Sequence, residues 1–140
     1  MKYDDASWHY GGDFPKDLPN EAGSTHIGIF LAWCHINDFA GELHLEEFPE
    51  DLEKIKKRDV TPGRYLEIAC DEKFTDEDLN EEGNSFCQFY FSVGDGYGDY
   101  LEDYEVLSGE LPSLYHVPDT WESFDKLSPL IDKRYKDWKG

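Results

Sequence analysis

Any chemistry in this chain would have to come from five histidines, three cysteines and an unusual wealth of carboxylates. The histidines are His9, His26, His35, His44 and His116. His26 and His35 are nine residues apart, so they do not share a helix face as the i, i+4 pair of H-E-x-x-H does. His44-Leu45-Glu46-Glu47 departs from that motif too. Cys34 directly precedes His35, and helical neighbours point about 100° apart, so the two do not form a thiolate–imidazole dyad. Cys34, Cys70 and Cys87 have no C-x-x-C spacing and are odd in number, which predicts reduced, buried thiols. Ser7, Ser24 and Ser85 lack a nucleophile-elbow context. The segment Asp95-Gly96-Tyr97-Gly98-Asp99 lacks the alternating ligands of a calcium loop. It has no GK[ST], and its own carboxylates would repel a phosphate. No catalytic set, metal or cofactor is expected from these spacings.

What remains is charge. Asp and Glu number 32 against 13 Lys and Arg, a net charge of -19. Such a surface repels nucleic acid and anionic membranes and suits a basic protein partner. The densest run is Asp71, Glu72, Asp76, Glu77, Asp78, Glu81 and Glu82. A second gathers Asp99, Glu102, Asp103 and Glu105 around Tyr100. A carboxylate pair can hydrolyse glycosides, but carboxylates this abundant form pairs by chance. These two runs are the candidate partner-binding residues, with Phe74, Tyr97, Tyr100 and Tyr104 as aromatic anchors beside them. The concentrated basic patch, Lys54, Lys56, Lys57 and Arg58, sits where a helix C-terminus favours cations.

The elements that position these residues read as helices. Within 140 residues, 39% are apolar and 16% aromatic, enough for one real core. Residues 1–23 are predicted to form an ordered, irregular arm, broken by Gly11-Gly12, Pro15 and Pro19 and anchored through Trp8, Tyr10 and Phe14. Helices are predicted over 24–39, 49–57, 61–70, 80–93, 99–107 and 119–138, the last kinked or interrupted at Pro129. Residues 71–79 are expected to be an acidic connection, and no hairpin signal is evident. The expected fold is mostly α, a single compact domain of about six helices. No secretory signal or membrane-spanning run is visible, so a cytoplasmic protein is expected.

Several strings resemble a known family. They are Tyr3-Asp4-Asp5-Ala6-Ser7-Trp8-His9-Tyr10-Gly11-Gly12-Asp13-Phe14-Pro15, Thr25-His26-Ile27-Gly28-Ile29-Phe30-Leu31-Ala32-Trp33, Asn80-Glu81-Glu82-Gly83-Asn84, and Leu111-Pro112-Ser113-Leu114-Tyr115-His116-Val117 with Asp119-Thr120-Trp121. Together they are similar to a family of small acidic bacterial proteins that look like immunity proteins, the inhibitors of antagonism toxins, including those delivered by type VI secretion. The resemblance implies a cognate toxin as partner and carries over no catalytic residues. A basic toxin such as a nuclease would suit the charge. The rival reading is a small ligand-binding protein or enzyme with a pocket lined by His9, His26 and His116.

Overall fold

The computed structural model describes residues 1–10, 14–94 and 96–140. The fold is mostly α, as its sequence predicts. At its centre stands helix α1 (Thr25–Ile36), buried along its length from Thr25 to His35. A helix apolar on nearly every side can be stable only when covered all round. Helix α4 (Pro62–Cys70) supplies the closest cover. Gly28 makes that approach possible, because a methyl group there would run into the Pro62 carbonyl.

Aromatic rings fill the rest of the core. The Phe30 ring lies 4.8 Å from Phe91, and Phe74, Phe86, Tyr90 and Tyr100 surround it. These residues come from α5 (Glu81–Tyr90), from α6 (Tyr100–Ser108) and from the chain between and before them. Helix α7 (Trp121–Lys139) packs on α6 and is tied to α1 by the Trp33 indole, which donates to Asp132 Oδ1 at 2.8 Å.

Two short helices lie beside this body. Helix α2 (Glu42–Glu47) was not expected; six residues with His44 turned inward carry little apolar periodicity. Helix α3 (Pro49–Lys56) follows after Phe48, with Pro49 in the first turn, where a missing N–H costs nothing. Its basic end is internally matched: Lys56 to Asp38, Lys57 to Glu53 and Arg58 to Asp125.

The N-terminal segment corrects the expectation of an irregular arm. Strand β1 (Lys2–Asp5) pairs antiparallel with β2 (Lys73–Thr75), Asp4 facing Phe74 and Asp5 facing Lys73. Residues 71–79 are therefore not a plain connection: β2 is followed by a 3₁₀ turn, Asp76–Asp78, with a Thr75–Asp78 capping box. Of the expected anchors Trp8 is exposed, whereas Tyr10 packs against the core and Phe14 lies 4.8 Å from Tyr115; Tyr3 and Ala6 are further, buried anchors. The proposed breaker Gly11-Gly12 lies outside the described residues.

A second correction is a hairpin, β3 (Ser92–Val93) with β4 (Gly96–Tyr97). Its turn begins at Gly94, whose φ of 62° is a left-handed value that favours glycine. The predicted helix over 80–93 accordingly stops at Tyr90. Pro129 does not interrupt α7. It lies on the exposed side of the helix with Asp125, whose carbonyl loses its helical partner. No helix among the described residues is long and apolar enough to cross a membrane.

Candidate functional site

A concavity of about 760 Å³ opens between α2, α3 and the stretch from Glu77 to Glu81. Its floor is apolar, with Leu43, Leu45, Leu52 and Leu79. Leu45 is 55% exposed. Its rim carries Asp38, Glu42, Glu77 and Glu81 against one lysine, Lys56. That lysine is already spent on Asp38 at 2.7 Å. Glu42 and Glu81 stand in the first turns of α2 and α5, where the helix dipole favours a negative charge. The groove can therefore receive an aliphatic stem on its floor and a cationic head at its rim.

Beneath it lies a closed polar cluster. Asp78 was expected on the contact surface; the structure places it inside, 4% exposed. Its Oδ1 is 2.7 Å from His44 Nε2, and its Oδ2 accepts from the Thr75 N–H at 2.7 Å. A buried carboxylate must be matched in this way, because desolvating it alone is costly. His35 donates from Nε2 to the Asp78 carbonyl at 2.8 Å and accepts from the Tyr65 hydroxyl at Nδ1, 2.6 Å. Burial holds the His35 pKa down at about 3 and pushes the nearby Cys70 thiol well up.

The rest of the first acidic run is partly occupied. Asp71 pairs with Lys73 and Asp76 with the N-terminal amine, while Glu72 accepts from Tyr10. Glu82 takes Lys139 at 2.8 Å and the Tyr135 hydroxyl. Only Glu77 and Glu81 of this run line the groove.

In the second run, two candidates are corrected. Tyr100 is fully buried and donates to the His26 carbonyl. Asp103 is buried by Arg134, whose fork meets both its oxygens, and by the Tyr90 hydroxyl at 2.7 Å. Asp99 also reaches Arg134, at 3.3 Å. Glu102 and Glu105 remain exposed on α6, and Glu105 edges a shallow recess distinct from the main groove.

The histidines divide. His116 bonds Ser113 at 2.8 Å and Asp17 at 3.0 Å, away from the other two proposed pocket residues. His9 and His26 do meet, together with Asp4, which belongs to neither acidic run. Strand pairing fixes Asp4, and an Asp5-capped turn over Ala6–Trp8 brings the chain back so that His9 lies across His26 at the start of α1. His9 Nε2 is 2.8 Å from Asp4 Oδ1. Tyr97, delivered by β4, bonds the other Asp4 oxygen and lies 3.0 Å from His26 Nε2. Burial drives the His26 pKa down to about 3.

Residues 2–117 match the family described as a domain of unknown function, DUF7832, and the chain belongs to it. No curated protein and no solved structure matches.

Proposed function

We propose that this member of the DUF7832 family is an immunity protein, which binds a basic bacterial toxin and blocks its active site or its access to substrate. The observation that carries the reading is the groove: apolar leucines beside Glu42, Glu77 and Glu81, with Lys56 already paired to Asp38. An arginine or lysine of the toxin would lay its stem on the leucines and place its charge between the carboxylates. In a toxin that acts on an anionic substrate, the same carboxylates would stand where substrate charge otherwise binds. The wider negative surface would steer encounter, and the aromatic and glycine-rich strings shared with the resembling family serve the scaffold rather than the contact.

The test is co-expression with the product of the adjacent gene. Expected are a co-purifying complex and rescue from that product's toxicity. Both should be lost on joint reversal of Glu42, Glu77 and Glu81 to lysine; since Glu42 and Glu81 also complement the dipoles of α2 and α5, the variant's melting temperature is measured alongside and should fall only modestly. Rescue that survives the reversal sinks the proposed docking face; a neighbour that is neither bound nor neutralised sinks the immunity reading.

A further inference from the structure

A different site goes beyond that reading. We propose that Asp4, His9 and His26 bind a divalent first-row transition-metal ion of the zinc type. One ligand atom of each, an oxygen and two imidazole nitrogens, lies within 4.8 Å of the others. His9 Nε2 is 2.8 Å from Asp4 Oδ1 and His26 Nε2 is 3.8 Å from Asp4 Oδ2. Ligands bound tetrahedrally at about 2.1 Å stand about 3.4 Å apart, between those two values. Two imidazoles with one carboxylate suit zinc, cobalt or iron rather than calcium or magnesium.

Three further observations point to a cation here. First, Asp4 is 2% exposed, and no lysine or arginine among the described residues pairs with it. Among the described residues its charge is matched by hydrogen bonds from the Asp5 N–H and the Tyr97 hydroxyl alone, and His9 Nε2 lies beside its Oδ1. Second, His9 Nδ1 lies 2.8 Å from the Tyr115 hydroxyl. That oxygen can accept an Nδ1 proton, which leaves Nε2 as the free donor atom, the orienting bond that ligating histidines use. Third, His26 is buried with its Nε2 directed at the cluster, 3.0 Å from the Tyr97 hydroxyl that also bonds Asp4. A hollow of about 330 Å³, lined by Asp4, His9 and Tyr97, opens the site to solvent. The Tyr97 hydroxyl, 3.1 Å from His9 Nε2, borders the same point.

The experiment is calorimetric titration of the full chain, freed of metal with a chelator, with zinc, followed by the visible spectrum with cobalt. One ion per chain is expected, with a low-symmetry cobalt spectrum that lacks a thiolate charge-transfer band. His9→Ala should weaken zinc binding more than about 100-fold, and Tyr115→Phe by about 10-fold. Cys70→Ser and His116→Ala should leave it unchanged. His9→Ala removes a neighbour of the buried Asp4 and should melt somewhat below the parent when both are metal-free, so binding is read well below its melting temperature; if Asp4→Asn fails to fold, His9→Ala alone decides. No binding, binding indifferent to His9→Ala, or a thiolate band that Cys70→Ser removes would each overturn the proposal. The last would move the ion to His44, Cys70 and Asp78.

Discussion

Arg134 of α7 grips Asp103 of α6 with two bonds, Nε to Oδ2 at 2.9 Å and Nη2 to Oδ1 at 3.0 Å. This pair withdraws a carboxylate from the acidic surface and uses it to fasten two helices. Arg134→Ala would leave Asp103 buried with only Tyr90 for company. The expected loss is about 2–3 kcal/mol of stability, read from urea unfolding. Asp103→Asn should also destabilise, with no separate effect on partner affinity. A variant as stable as the parent would contradict this role.

Gly28 sets the spacing of α1 and α4. A Cβ at this position has no room against the Pro62 carbonyl, a backbone atom that cannot rotate away. Gly28→Ala should cost about 3 kcal/mol, although alanine is the better helix former. A thermal melt decides, and an unchanged melting temperature would show that the helices can part at no expense.

His35 should make stability depend on pH. Its folded pKa is down at about 3, chiefly through burial and next through His44; Asp78 and Lys56 also act on it. An unfolded histidine takes its proton near about 6.5. Below that pH the unfolded chain binds a proton that the folded chain refuses. The stabilisation is therefore complete above it and drains away as pH falls toward the folded value, by about 1.4 kcal/mol per pH unit. Loss of self-repulsion on approaching the isoelectric point of about 4.4 acts in the opposite sense. Unfolding free energies between about pH 7 and 5 should fall less steeply for His35→Gln than for the parent. Parallel curves would refute the assignment.

The helices were legible because apolar residues recur at helical spacing and because prolines and glycines mark their ends. Ile27, Phe30, Leu31 and Cys34, for instance, announce α1. The strands were not. Lys2–Asp5 buries three consecutive residues rather than alternating, and its partner Lys73–Thr75 is some seventy positions away. The groove was half legible: Glu77 and Glu81 belong to the dense acidic run, whereas Glu42 lies some thirty residues before it. Asp78, Tyr100 and Asp103 were misplaced for one physical reason. Whether an acidic or phenolic group can be buried depends on a remote partner, and His44, the His26 carbonyl and Arg134 are not its sequence neighbours. The meeting of Asp4, His9 and His26 left no spacing signal, since a strand, a turn and a helix each supply one residue.

Electrostatic steering predicts a kinetic signature. Association with a basic toxin should slow steeply as salt rises, because charges more than about 8–10 Å apart are screened at about 0.1–0.15 M ionic strength. Dissociation should respond much less. Stopped-flow mixing checks this, and a salt-independent association rate would remove the steering component.

The central claim is that the groove between α2, α3 and α5 holds the basic partner. It is tested most directly by the affinity of the purified partner for two neutralised variants, Glu42→Gln/Glu77→Gln/Glu81→Gln and Glu102→Gln/Glu105→Gln. The groove variant should bind at least about 10-fold more weakly, a change of about 1.4 kcal/mol, while the α6 variant stays near the parent. The reverse order, with the groove variant unaffected and the α6 variant impaired, would contradict the account and move the contact to the other acidic surface.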